Sequence, residues 1–532
     1  MATSADPFDR IDRLVERADA LAGAWGARAR ASTTVGQERA ILRLFGVTGL
    51  DRDGRPLAGA AVDRWLTTAA DGLGGGIALP FAMALLEYDL EPQQLAMDVA
   101  SGAVDLALEA QLLRESDRRA VAEVEARRLT ARAVERIDAD RTARLELMDL
   151  LGEATRPWLG TTMAASELGA ALDEAVRLAG AGFDVLRVEV PIGRELATRL
   201  QDAGLEAPEW RSTEGLGDVF DDEDLAPAGS QRALARLRRV ADGVAAERRA
   251  YVRLATSIPP LGVPEGAVVA AFERVDLVEA DPMAEIVAGG VDPDRSLADH
   301  AFARRLHRRA GTLVSIGPGP LVVAPDMAQG VPVDAPTRSG RALALQLVGV
   351  ALARADGIAA DRIVVGAYPA WLGDEPAGSA RILAEVVIRR RLFPSHLIRF
   401  DEPTGGSAAA AAWPFVMAAI AASAGDDAIL MRRTPGDARR AVADARAAGR
   451  VGSEVVGATV PGRLTGVAEE HAAAAIAAAL TTLERLGDLG WRAVVGDGPG
   501  GGGGAGAGGR WALGADAVAE RTDPFDPLAD LD

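Results

Sequence analysis

Between Pro157 and Arg433 short apolar runs alternate with longer amphipathic runs rich in alanine and leucine, and nothing else in the chain restricts its fold so tightly. The apolar runs are WLGTTMAA (158–165), DVLRVEV (184–190), AYVRLAT (250–256), RVDLVEA (274–280), GTLVSIG (311–317), RIVVGAY (362–368), HLIRFDE (396–402) and DAILMRR (427–433). Each has strand length, and most are followed by a helix-length run such as SELGAALDEAVRLAGAG (166–182). Antiparallel strands can be joined by tight turns, whereas parallel strands need long crossovers, usually helical. About eight such units over this length predict a closed (β/α)8 TIM barrel, an α/β fold, rather than an open sheet. In such barrels chemistry sits where strands end and βα loops begin. The positions to read first are therefore Ala165, Val190, Thr256, Ser257, Asp281, Gly317, Tyr368, Asp401, Glu402, Arg432 and Arg433.

No strand pattern precedes residue 157. Ile11, Leu14, Val15, Ala18 and Leu21 recur at helical spacing, and helix-like runs follow at 59–72, 79–89, 91–100 and 103–150. The last of these has no clean heptad, so it reads as a helix laid against the barrel rather than a coiled coil. Residues 1–150 are thus expected to form an all-helical accessory domain, 151–435 the barrel, 436–490 C-terminal helices and 491–532 a Gly-rich linker with an acidic tail. The linker, Gly496–Gly509, has large chain entropy to lose and little surface to bury, so it is expected to be disordered and residues 496–532 dispensable. The tail's DPFD (523–526) repeats the DPFD at 6–9.

Composition narrows function by exclusion. Lysine plus arginine total 58 against 77 acids, a net charge of −19, which argues against nucleic acid or an anionic membrane as main partner. There is no cysteine, hence no disulfide, thiolate nucleophile or Cys metal site. There is no lysine either, so no side-chain amine can form a Schiff base and no Walker A motif exists. The N-terminus is polar and acidic, unlike a signal peptide, and the most apolar run (408–424) is short, alanine-rich and holds Pro414. A cytoplasmic protein is expected.

Motifs are sparse. His300 and His307 are seven residues apart but lack a carboxylate at metal spacing, so packed or solvated histidines are expected and no metal. His396 opens a strand, at the stability end of a barrel, and His471 lies in an alanine helix. The G-x-G-x-x-G matches in 496–509 lack a strand–helix context, whereas SIGPGP (315–320) follows a strand and offers either an anion cradle or a plain turn. Asp401 and Glu402 end one run, as acid–base carboxylates or as a turn and helix cap. Arg432 and Arg433 end another, where barrels often hold phosphate, as an anion site or a solvent-facing pair.

Several collinear stretches resemble the α subunit of lysine 5,6-aminomutase: STTVGQERAILRLFGVTGLD (32–51) with PLAGAAVD after it, STEGLG (212–217), AYVRLATSIPPLGVPEGAVVAAFERVDL (250–277), LFP (392–394) and the EPT of 402–404. The resemblance covers roughly residues 30–450. It implies a TIM barrel with helical additions, adenosylcobalamin and pyridoxal phosphate (PLP) as cofactors, and a smaller β subunit as partner. That subunit would carry the cobalamin domain and the PLP lysine, and the substrate would be a small, basic amino acid whose amino group migrates by a radical route. The resemblance places cofactor-binding positions at Gly193, Arg194, Ser212, Thr213, Glu214, Gly215 and Ser257. Candidate substrate contacts are Asp401, Glu402 and Arg432. The family's Arg-Thr-Thr-Gly-Gln-Ser run, whose Arg and Ser hold the PLP phosphate, falls on Val190 to Glu195, where only Gly193 is kept and Arg194 is the shifted phosphate candidate. The family's ring-stacking tyrosine falls at Ser257, its amine-binding acid near Gly290 and its substrate-binding lysine near Gly405. These departures leave a divergent enzyme subunit or a non-catalytic scaffold or regulatory relative.

Overall fold

The structure, a computed structural model, describes residues 8–69, 72–114, 116–164, 168–189, 227–287, 290–317, 334–367, 378–401, 427–431, 437–447, 466–491 and 517–531. Strand β1 (Ser32–Thr34) pairs antiparallel with β10 (Val518–Glu520). Between them in sequence lie β2 (Trp158–Thr162), β3 (Val185–Glu189), β4 (Arg253–Ser257), β5 (Leu277–Glu279), β6 (Leu313–Ile316), β7 (Ile363–Ala367), β8 (Leu397–Asp401) and β9 (Ala428–Met431). All pair in parallel in chain order, and β9 pairs back onto β2 to close the barrel. Each of the eight apolar runs has become one strand.

Side chains alternate across each strand. Trp158, Val185, Ala255, Leu277, Leu313, Val364, Leu397 and Ala428 point inward near the strand starts and, with Ala154, form an apolar plug. Leu159, Leu186, Leu254, Val278 and Ile429 point outward into a core shared with the N-terminal helices. Val314, Ile316, Ile363, Val365 and Ile398 point outward into a second core. It is completed by the helices Ile11–Arg30, Ala335–Ala355, Gly378–Leu392 and Val467–Leu489.

A repeated aspartate fixes the strand starts. Asp184, Asp276 and Asp427 each precede a strand and accept the backbone N–H of the strand before it, at Leu159 (3.0 Å), Leu254 (2.8 Å) and Ile398 (3.0 Å). Each carboxylate also meets arginine: Asp184 meets Arg248 and Arg446, Asp276 meets Arg238, and Asp427 meets Arg156 and Arg390. Tyr251 adds an O–H donated to Asp276 at 2.7 Å. The YVRL and ERVD segments that carry the family resemblance are therefore part of this framework.

The STTVGQER stretch is structural as well. The helix Val35–Leu44 is buried along its whole length, and the Thr34 hydroxyl caps it by accepting from Gln37 N. Thr34 also donates to Asp299, and Gln37 Nε2 donates to Ala298 O at 2.8 Å on the helix Pro293–Ala310. Gly36 allows the approach: a Cβ there would lie 2.8 Å from the Arg295 guanidinium. The long helix Ser116–Leu151 lies along the same assembly, as expected, burying Ala122, Ala126, Leu129, Ala133 and Ile137.

The N-terminal region is helical apart from β1, and that strand is a correction to the expectation of none before residue 157. Three polar residues carry no alternation, and their partner lies almost at the other end of the chain. The tail needs a second correction. Residues 496–509 lie outside the described residues, but 517–531 are packed, which runs against the expectation of a loose tail. Phe525, Leu528 and Leu531 enter the main core, Arg119 grips Asp523 through two hydrogen bonds of 2.7 Å, and Arg521 donates to Gln37 Oε1 at 3.0 Å. Composition could not show this, because three apolar anchors suffice once a strand register positions them. Asp523 and Asp526 each accept the backbone N–H two residues on, at Phe525 and Leu528, which shapes the tail's DPFD turn. In the N-terminal copy only Phe8 and Asp9 are described, and Phe8 packs under Arg391 at 3.8 Å.

Candidate functional site

One step above the apolar plug, the inward positions change character. They are Gly160, Arg187, Ser257, Glu279, Ser315, Gly366, Arg399 and Leu430. Glu279 accepts from Arg187 Nε at 2.8 Å and from Arg399 Nη1 at 2.5 Å. Arg187 also reaches the Thr162 hydroxyl at 3.4 Å. The three charged side chains are 12% (Arg187), 19% (Glu279) and 10% (Arg399) exposed. Two cations and one anion thus meet inside the barrel, in the half from which the βα loops leave. Charge-assisted bonds of this kind are shorter and stronger than neutral ones.

Glycine makes the room. A Cβ on Gly317 would lie 2.7 Å from the Gly366 Cα, so the chain after β6 and strand β7 touch backbone to backbone. From outside, Gln346 donates to Gly366 O at 2.6 Å and accepts from Arg389 Nε at 3.0 Å. Arg389 in turn pairs with Glu385 at 2.5 Å, and His471 lies 2.9 Å from the same carboxylate. Burial alone would lift Glu385, but the Arg389 charge and His471 outweigh it and hold the carboxyl down at about 2. This chain of contacts ties the helix Val467–Leu489 to the barrel wall. A lumen cavity of about 20 Å³ lies between plug and ion triad, room for about one water.

Of the positions named from sequence, Ser257 ends β4 beside Glu279 and shares its inward parity with Ala255, which places it next to the triad. Thr256 faces outward and donates to Val188 O at 3.0 Å. Asp281 does not join the lumen: it accepts Met283 N at 2.9 Å and caps the helix Pro282–Val287, where burial lifts its carboxyl to about 6. Asp401 closes β8 in register with Leu430. Gly290 has a left-handed φ of +64° and brings no carboxylate. Glu285, near it, is held by the Ser296 hydroxyl at 2.8 Å and His300 at 3.1 Å. Gly193, Arg194, Ser212, Thr213, Glu214, Gly215, Glu402, Arg432 and Arg433 lie outside the described residues, as do Ala165, Val190, Glu195, Tyr368 and Gly405.

The triad itself was missed by reading strand ends. The signal was present before the positions read: VLRVE, LVE and LIRFD each place a charge two residues after an inward apolar side chain, at Arg187, Glu279 and Arg399. A charge there is buried wherever the strand closes a barrel. Of the two alternatives open for His300 and His307, packed or solvated, the structure shows packed, and His396 and His471 are buried as well. Burial pushes His307 down to about 3. Among the described residues no group of three or more His, Cys, Asp or Glu side chains could hold a metal ion, and no helix is long and apolar enough to cross a membrane.

Residues 7–410 match the family model described as the D-lysine 5,6-aminomutase TIM-barrel domain of alpha subunit. The lysine 5,6-aminomutase alpha subunit of Acetoanaerobium sticklandii is 25% identical over 398 residues, covering 75% of this chain and 71% of that protein. The protein of the same name from Fusobacterium nucleatum subsp. nucleatum is 27% identical over 376 residues, covering 70% and 67%. Among solved structures, dihydropteroate synthase from Anaplasma phagocytophilum aligns over 56% of this chain and all of that one, with 14% identity and a TM-score of 0.37. Dihydropteroate synthase from Yersinia pestis aligns with a TM-score of 0.32 and 14% identity, over 56% of this chain and 94% of that one. Both likenesses are too distant to inform the chemistry.

Proposed function

Because the chain belongs to the family of the D-lysine 5,6-aminomutase alpha-subunit TIM-barrel domain, we propose that it is the barrel subunit of an aminomutase-type enzyme acting on a small amino acid. In this reading the substrate lies over the triad at the end of the barrel where the strands finish, and a partner β subunit brings cobalamin and the lysine that carries PLP.

The observation that carries the reading is the Arg187–Glu279–Arg399 triad. Three charges withdrawn from water cost stability that an apolar filling would return, so a barrel serving only as scaffold gains nothing from them. An amino acid is a zwitterion, and the triad offers both complements. The Arg187 and Arg399 guanidiniums match a carboxylate and Glu279 matches an ammonium, so substrate would bind by exchanging with the ion pairs these side chains make with one another. Ser257, beside Glu279, adds a hydroxyl that can donate or accept. The residues hold and orient; the radical migration is the work of the cofactors, adenosylcobalamin and PLP, that the family implies.

The residues of this chain do not fit a PLP site complete in itself. No lysine exists to hold the aldehyde carbon, and Ser257 offers a hydroxymethyl group where the family stacks a tyrosine on the ring. Gly290 and Gly405 likewise stand where the family has an acid for the substrate amine and a substrate-binding lysine, which favours a different amino acid as substrate. The same departures favour the second reading, a non-catalytic scaffold or regulatory relative.

Purification of the full chain from its native lysate, with identification of what co-elutes, separates the two. The enzyme reading expects a partner with a cobalamin-binding D-x-H-x-x-G motif and a lysine that borohydride links to PLP. Elution without such a partner would leave the scaffold. Titration of PLP into the pure chain, with borohydride reduction and mass spectrometry, is expected to give no side-chain adduct.

A further inference from the structure

At the opposite end of the barrel, where β2, β4, β6 and β8 begin, the helix Ser116–Leu151 roofs a cavity of about 360 Å³. Its size falls within the range of small-molecule sites. Its wall holds six arginines against four carboxylates, an excess of two positive charges in a chain whose net charge is −19.

Three of the four carboxylates are engaged, and the fourth, Asp361, is exposed. Asp427 takes Arg156 at 2.6 Å and Arg390 at 3.1 Å, and Asp276 takes Arg238, Tyr251 and the Leu254 N–H. Several donors on the same wall are not. Arg144 donates Nη1 to Gly311 O at 3.0 Å and its Nε lies 3.6 Å from Asp276, but its Nη2 has no hydrogen-bond partner among the described residues. Arg253 stacks 3.6 Å above the Trp158 ring and donates Nη2 to Glu153 at 3.0 Å, but its Nη1 has none. The Trp158 indole N–H has none, nor has either ring nitrogen of His396. These four residues are 5% (Arg144), 3% (Arg253), 3% (Trp158) and 8% (His396) exposed.

Buried donors are almost always paired, so four side chains lining one cavity with unmet N–H groups define what completes it. Water brings as many donors as acceptors. An oxyanion brings acceptors alone, and its geometry matches the guanidinium fork. We infer that this cavity is a binding site for a small phosphate-bearing molecule, its phosphate held by Arg144 and Arg253 with Trp158 and His396 donating from the sides. The site lies at the strand starts, on the far side of the apolar plug from the Arg187–Glu279–Arg399 triad, and the Trp158 and Leu397 side chains stand between the two. It is independent of the function proposed for that triad.

Ser395 is exposed and lines the mouth of the cavity, so Ser395→Glu sets a negative charge there without disturbing the core. Calorimetric titration of inorganic phosphate into the full chain at low ionic strength is expected to show one saturable site, with a dissociation constant in the millimolar range or tighter. Ser395→Glu, with an unchanged circular dichroism spectrum, is expected to weaken binding at least about tenfold through like-charge repulsion. Arg253→Gln is expected to weaken it as much. If Arg253→Gln does not fold, Ser395→Glu decides alone. No saturable uptake by the wild-type chain would overturn the inference, and so would wild-type affinity in folded Ser395→Glu.

Discussion

The lower and upper layers of the barrel lumen are built from the same eight strands, two residues apart, yet they have opposite chemistry. Below, Trp158, Val185, Ala255, Leu277, Leu313, Val364, Leu397 and Ala428 close an apolar plug. Above, Arg187, Glu279 and Arg399 form a buried ion triad beside Ser257, with glycine at 160 and 366 leaving space. The plug gains stability from every side chain in it. The triad is held at a cost, because desolvating charges is repaid only when all partners stay in place. The difference teaches that closure of this barrel is secured at the strand starts, which frees the upper positions to carry polar groups. The aspartates at 184, 276 and 427 strengthen the same end by bonding the preceding strand.

The comparison breaks most visibly at Glu279. Glu279→Gln leaves two arginines inside the barrel without their anion, and is expected to cost about 3–5 kcal/mol in denaturant unfolding. The triple change Arg187→Met, Glu279→Leu, Arg399→Met is expected to be neutral or to stabilise by about 1–4 kcal/mol, as for other buried ion triads replaced by apolar groups. Were the single change harmless, the upper layer would be a solvated rim and the contrast would fall. The plug should respond more modestly and in proportion to volume. Leu397→Ala removes a packed side chain next to an existing small cavity, and a loss of about 2–3 kcal/mol is expected from the same unfolding measurement. A loss well above that of Glu279→Gln would reverse the ranking of the two layers.

How much of this was legible follows from the reach of each signal. The eight strands could be read because apolar runs and helical runs alternate locally, and the parallel barrel follows from the length of the crossovers. The triad was hidden in plain sight: Arg187, Glu279 and Arg399 are far apart in sequence, and only barrel closure turns three isolated strand charges into one cluster. Strand β1 was unreadable for a related reason, since Ser32, Thr33 and Thr34 pair with Val518–Glu520 and carry no alternation of their own. Phe525, Leu528 and Leu531 looked like an acidic tail because composition averages three apolar anchors away. The family resemblance found STTVGQER and YVRL, yet those segments hold helices and strands in place through Thr34, Gln37 and Tyr251. What they identify is the architecture. The cofactor and substrate positions inferred with them, such as Arg194 and Ser212, are separate proposals.

The smallest expected effect tests the two ends by acid. At the lower end burial, with the Arg354 charge, pushes His396 from its ordinary 6.5 down to about 4. Between those values the unfolded chain binds the proton and the folded chain does not. The contribution of His396 is therefore full above pH 6.5 and is lost as the pH falls through 6.5 towards 4. At the upper end burial lifts Asp281 from its ordinary 3.8 to about 6, so there the folded chain takes the proton first and stability is gained as pH falls through that window. The two substitutions should then bend the pH–stability curve in opposite senses. His396→Gln removes an acid-labile contribution and should flatten the loss between pH 7 and pH 5, by about 1 kcal/mol once solvent screening is allowed for. Asp281→Asn keeps an acceptor for Met283 N but removes the compensating gain, and should steepen the loss over the same range. Denaturant unfolding of wild type and both variants at pH 7, 6 and 5 reads this directly, and curves displaced in the same direction would show that the two ends do not differ in the way their burial requires.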